Sequence, residues 1–90
     1  MAVGFMFEVA GGTSQQYDHI MADLNVAEQP IAGLLSHTAG PMDGGWRVID
    51  VWENDGAFEM FVAKRLRGAI ERSGMGEPKL TRFEVHNFLA

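Results

Sequence analysis

Gly45-Trp46-Arg47-Val48-Ile49-Asp50-Val51-Trp52-Glu53-Asn54-Asp55-Gly56-Ala57-Phe58-Glu59-Met60-Phe61 reads as a strand that turns at once into a helix. Its first half is rich in aromatic and β-branched residues at alternating positions, with Trp46, Val48 and Trp52 on one face and Ile49 and Val51 on the other. Asn54 is a good N-cap, and Glu53 and Asp55 suit the positive end of a helix dipole. Phe58, Phe61, Val62, Leu66, Ala69 and Ile70 then recur at helical spacing, and Gly74 can close the helix in the left-handed conformation. An aromatic at the lip of such a junction is placed to wall a pocket.

Upstream, Ile31 to Ala39 is a strand, and Gly40-Pro41-Met42-Asp43-Gly44-Gly45 is the hairpin loop that joins it to the next, Trp46 to Trp52. Thr13 and Gln16 form a capping box at the start of a first helix, whose stripe is Tyr17, Ile20, Met21 and Leu24. That helix ends near Asn25, before Pro30. Val3 to Ala10 is the first strand and Lys79 to Leu89 the fourth. The order is βαββαβ, an α+β ferredoxin-like domain spanning residues 1–90, with a four-stranded antiparallel sheet and both helices on one face. Apolar residues fall on both faces of several strands, and two helices cannot cover both. The uncovered face is expected to pack on a second copy, sheet to sheet.

Composition narrows the function. The 90 residues have 47% hydrophobic content, no cysteine and a net charge of −5. A domain this small is marginal alone and gains from oligomerising. The negative charge argues against nucleic acid, and the third strand carries Asp50 where RNA-recognition domains of the same element order carry base-stacking and basic residues. No apolar stretch approaches the ~20 residues of a membrane helix. The first ten residues lack a basic start and contain Glu8, which makes a poor signal peptide. A soluble cytoplasmic protein is expected. Three scattered histidines without ligand spacing predict no metal site, and no dinucleotide fingerprint or P-loop is present, so no cofactor is expected.

His37 and Asp50 are the candidate catalytic pair. They lie on adjacent strands of one hairpin, and if paired residues sum to 87 they face each other directly across the ladder. The carboxylate would then orient the imidazole as a general base. The same geometry equally serves a structural hydrogen bond, and a one-residue slip would separate the two. Trp52, Tyr17 and Phe58 are the candidate substrate-binding residues. Trp52 would stack on a flat ligand or fill the core against Phe58, and Tyr17 would donate a hydrogen bond to substrate or sit in the core. Trp46 is pocket rim or dimer contact. His19 and His86 read as solvated or interfacial.

The stretch Trp52-Glu53-Asn54-Asp55-Gly56-Ala57-Phe58-Glu59-Met60-Phe61 resembles the Trp-Glu-Ser-Glu-Glu-Ala-Phe motif of the antibiotic biosynthesis monooxygenase family, part of the dimeric α+β barrel superfamily. The resemblance implies a homodimer of ferredoxin-like subunits, each with a pocket between sheet and helices, in which Trp52 takes the place of the family's pocket tryptophan. It implies a cofactor-independent monooxygenase of a flat, apolar, aromatic or polyketide-like substrate. The superfamily also holds small cyclases, isomerases and many proteins of no assigned activity; a small cyclase or isomerase, or a non-catalytic ligand-binding or dimerisation module, stays open as an alternative. Haem-degrading members carry a His in the helix where this chain reads Phe61-Val62-Ala63-Lys64, so that activity is not implied.

Overall fold

Why one face of the sheet carries the helices is visible in the first strand. In the structure, a computed structural model that describes residues 1–89, β1 (Val3–Ala10) buries Val3, Phe5, Phe7 and Val9 beneath the helices and turns Gly4, Met6 and Glu8 the other way. β1 lies between β3 (Gly45–Trp52) and β4 (Lys79–Glu84), and β2 (Leu34–Met42) pairs with the far side of β3. The order β2-β3-β1-β4 is antiparallel throughout. This is the expected ferredoxin-like βαββαβ arrangement.

α1 (Ser14–Leu24) follows β1. Thr13 and Gln16 form the expected capping box, in which Thr13 Oγ1 accepts from the Gln16 amide and Gln16 Oε1 accepts from the Thr13 amide, each at 3.1 Å. Asn25, in the left-handed conformation at φ 50°, ends the helix. The second helical run is one continuous rod in three parts: α2 (Asp55–Phe61), a π-helical turn (Val62–Leu66) and α3 (Arg67–Ser73). Asn54 caps it by accepting from the Ala57 amide at 2.8 Å, and Gly74 closes it at φ 76°. An exposed Arg82–Asp55 pair ties β4 to its start, and the Arg82 guanidinium holds the Asp55 carboxyl below the usual carboxylate range.

The π turn carries Arg65. Its guanidinium donates to three backbone carbonyls, Leu24 at 2.9 Å, Gln29 at 2.7 Å and Pro30 at 3.1 Å. One cation thereby satisfies the frayed end of α1 and the segment that leads to β2. Hydrogen bonds to a charged group contribute roughly 1.5–3 kcal/mol each when nothing replaces them. Water can replace the exposed ones here, so Arg65→Met is expected to lower stability by about 2 kcal/mol in chemical denaturation. Hydrogen exchange should rise across residues 25–31. A loss below about 0.5 kcal/mol would show that the carbonyls are served as well by solvent.

Three boundaries differ from the sequence reading, each for a backbone reason. The β2–β3 loop needs only two residues, Asp43 and Gly44, because Gly44 takes φ 74°, so Gly40, Pro41 and Met42 belong to the ladder rather than to the loop. Pro41 is tolerated there because β2 is an edge strand. β2 starts late, at Leu34, after Gly33 at φ 84°, and a bulge at Leu35 shifts its register. β4 stops at Glu84 rather than reaching Leu89, because its partner β1 runs out: Glu84 pairs with Val3, and the Val85 amide makes the last bond, to Ala2.

Candidate functional site

β3 presents Trp46, Val48, Asp50 and Trp52 to the helix side at two-residue intervals. All four border a cavity of about 170 Å³ between the sheet, α1 and the second helical run. α1 supplies Tyr17, Ile20, Met21 and Leu24, the stripe read from the sequence, and the second run supplies Phe61, Leu66 and Ile70. The wall is apolar apart from one line of polar groups.

That line crosses the β2–β3 ladder. His37 pairs with Asp50, so the two side chains rise together on the cavity side. His37 Nδ1 lies 2.6 Å from Asp50 Oδ1. The other nitrogen, Nε2, lies 2.6 Å from the hydroxyl of Tyr17, which reaches down from α1. Asp50 is 4% exposed and is the one buried charged residue among the described residues. Its carboxylate accepts only, so Nδ1 carries the proton and donates it, and in the neutral imidazole Nε2 accepts from the Tyr17 O–H. Burial pushes the Tyr17 phenol up, with Asp50 and Asp18 adding in the same direction, so a free tyrosinate is disfavoured here.

Two further donors belong to residues that line the cavity. The indole N–H groups of Trp46 and Trp52 are buried and have no partner in the chain among the described residues. An unpaired buried donor costs on the order of 1–3 kcal/mol, so two in one wall are not explained by stability. Trp46 tilts against Tyr17, with ring centroids 5.3 Å apart. Trp52 meets Phe61 at 5.3 Å and Phe58 edge-on at 5.7 Å.

Of the five residues singled out in the sequence, Tyr17, His37, Asp50 and Trp52 surround one cavity. Phe58 stands apart. It stacks on Phe5 at 3.7 Å in the core and borders a second, more open cavity of about 540 Å³ beside β4. Trp46 belongs to the site more fully than a rim residue would. Its signal was its phase, two residues out from Val48 and four from Asp50 on the same face. The Tyr17–His37 bond joins a helix to a strand and had no local signature. His19 is exposed, and His86 is exposed beyond the end of β4. Among the described residues no three His, Asp or Glu side chains gather where they could hold a metal ion, and no helix is long and apolar enough to cross a membrane.

The sequence matches no family model and no curated protein. Solved structures do match over nearly the whole chain. A Caulobacter crescentus protein provisionally described as an antibiotic biosynthesis monooxygenase superposes with a TM-score of 0.73 at 14% identity, covering 96% of this chain and 91% of its own. SnoaB, a cofactor-independent oxygenase from Streptomyces nogalater, gives 0.67 at 20% identity, covering 98% and 96%. A dimeric ferredoxin-like protein of unknown function from Thermobifida fusca gives 0.68 at 13% identity, covering 94% and 92%. The chain therefore has the ferredoxin-like fold of the antibiotic biosynthesis monooxygenase-like proteins.

Proposed function

We propose that this protein is a homodimeric, cofactor-independent monooxygenase of a small flat aromatic molecule that carries an acidic proton. The observation that carries the reading is the buried Asp50 carboxylate joined through His37 to Tyr17 at the wall of an apolar cavity. Burying a charge in this way costs several kcal/mol of desolvation and is weak evidence for stability, so a chemical use is the better account of it. His37 is the base at which the proton comes to rest, Asp50 orients it, Tyr17 stands between it and the ring, and Trp46 and Trp52 hold the ring. Phe58 backs Trp52 from the core. SnoaB, with the same fold, is described as a cofactor-independent oxygenase, which is the chemistry a site of this kind would support.

Size narrows the substrate. A cavity of about 150 Å³ accommodates a benzene-sized ring. At about 170 Å³ this one suits one ring with small substituents, or two rings at most. A naphthol is a fitting probe. Loss of its proton raises the ring's electron density, and addition of O2 with loss of water gives the naphthoquinone: one naphthol and one O2 yield one quinone and one water. Oxygen uptake with quinone formation is the expected result, with His37→Ala lowering the rate at least ~100-fold, the ordinary size of a general-base contribution. Ring turnover without oxygen uptake would assign the site to a cyclase or isomerase that uses the same proton chain. Binding without turnover would make the protein a ligand-binding module. An unchanged rate in His37→Ala would remove the base.

The dimer is part of the proposal. The helix-free face of the sheet bears Met6, Ile49, Val51 and Phe83, with Ile49 39% and Phe83 45% exposed, and the Thermobifida fusca neighbour is described as dimeric.

A further inference from the structure

We infer that the atom that exchanges a proton with the ligand is the phenol oxygen of Tyr17, and that His37 works one step behind it. This rests on the reading that the cavity receives a proton-bearing aromatic. The geometry assigns the order. Both nitrogens of His37 are engaged at 2.6 Å, Nδ1 by Asp50 and Nε2 by Tyr17, so the imidazole has no free position with which to touch a ligand. The Tyr17 oxygen has no partner besides Nε2 among the described residues, and when it donates its proton there it keeps its lone pairs. Tyr17 is also one of the residues that line the cavity, beside the Trp46 ring.

The proton count follows. The ligand's O–H or C–H bond breaks and its proton goes to the Tyr17 oxygen. In the same step the Tyr17 O–H proton passes to His37 Nε2. The ligand is left as an anion, Tyr17 is again a neutral phenol, and His37 is an imidazolium paired with Asp50. The two transfers are coupled, because a tyrosinate standing alone in this setting is disfavoured by burial and by the negative charges of Asp50 and Asp18. The state of His37 then sets what Tyr17 offers. Facing a neutral imidazole, its oxygen accepts. Facing an imidazolium, whose Nε2–H now donates to it, the phenol turns its own O–H toward the ligand anion. One residue thus serves as base on the way in and as hydrogen-bond donor to the anion it has made. Tyr17 becomes a catalytic residue, and His37 and Asp50 become the proton store behind it.

The test uses para-nitrophenol, a single-ring phenol that ionises near neutral pH and absorbs differently when it does. Binding to the whole chain is followed by tryptophan fluorescence, and ionisation of the bound probe by absorbance, just below the pH at which the free probe ionises. With the native protein, bound probe is expected in the phenolate form with no proton released to an unbuffered solution. Tyr17→Phe should bind the probe within ~3-fold but hold at least ~10-fold less of it as phenolate, and His37→Gln should show the same loss because the proton has no destination. If Tyr17→Phe ionises the probe as the native chain does while His37→Gln does not, His37 acts directly and the inference is overturned. A native chain that binds the probe and leaves it neutral overturns it too. A native chain that binds no probe refutes the ligand-binding reading beneath it, a separate failure. Nitrogen NMR of neutral His37 gives a ligand-free check: protonated Nδ1 with bare Nε2 is required, and the opposite tautomer rules the chain out.

Discussion

Replacing Trp52 by alanine lowers the stability of this domain by ~3–5 kcal/mol, the range for truncating a large buried aromatic. Trp52 is fully buried, is paired across the sheet with Val3 and Leu34, and meets Phe58 and Phe61 with its ring. A domain of this length holds only about 5–13 kcal/mol in all. The loss is therefore roughly a quarter of the total or more, and the melting temperature falls by on the order of 20 °C. One term works the other way. The indole N–H has no partner, so truncation also removes a donor that cost something to bury. Trp52→Phe separates the two terms: it keeps one ring against Phe58 and removes the N–H. Its expected stability lies within about 1.5 kcal/mol of the native chain, while ligand affinity falls if that N–H is held for a ligand. Thermal and chemical denaturation of both variants decide the matter. A Trp52→Ala protein less than 1 kcal/mol below the native one would mean that the core does not depend on this ring.

The strand-to-helix junction was legible because several local signals agreed. Alternation put Trp46, Val48 and Trp52 on one side of β3, Asn54 capped what followed, and Phe58 and Phe61 opened a helical stripe. The His37–Asp50 pairing was legible only as a condition on the register. In a hairpin without a bulge the pairing sum is constant; here it is 87 from Ser36 to Met42, which includes His37 and Asp50, and the bulge at Leu35 changes it to 86 at Leu34 and Trp52. A six-residue loop from Gly40 to Gly45 would close on Ala39 and Trp46, whose numbers sum to 85; the two-residue turn closes on Met42 and Gly45 instead, and that is what sets His37 opposite Asp50. Where elements end was less legible. β4 stops at Glu84, opposite Val3 where β1 itself begins, and nothing in Val85 to Leu89 records that. The π turn at Val62–Leu66 was hidden because the apolar stripe passes through it, and the three carbonyls that Arg65 serves lie in another part of the chain. The Tyr17–His37 bond was out of reach for the same reason: it depends on where α1 lies over the sheet, a tertiary fact that neither residue's neighbours encode.

Ile49→Asp combined with Phe83→Asp is expected to weaken self-association by at least ~10³-fold. The helix-free face is not uniformly greasy. Glu8 and Arg47 pair across β1 and β3 at 3.1 Å on it, and Lys79 and Thr81 lie on its β4 edge. Its apolar part is the patch of Met6, Ile49, Val51 and Phe83. Phe83 lies so close over Gly4 that a β-carbon there would fall 2.2 Å from its ring, so the strand has given up a side chain to seat an aromatic that remains 45% exposed. A buried interface residue of this kind contributes roughly 2 kcal/mol or more, and Ile49 and Phe83 are separated by β1, so their losses should add. About 4 kcal/mol corresponds to the thousandfold change. Sedimentation at micromolar concentration should give a dimer for the native chain and a monomer for the double variant, whereas Met60→Asp, exposed on α2, should leave the dimer intact. A native chain that sediments as a monomer ends the dimer proposal. The cavity gives the converse expectation. The cavity lies on the helix side of the sheet, opposite the proposed dimer face, so a monomer that stays folded is expected to keep its ligand. Loss of binding together with the dimer would mean that the neighbouring subunit stiffens β3 from behind, where Ile49 and Val51 flank Asp50 on the opposite face, and that the proton chain depends on that support.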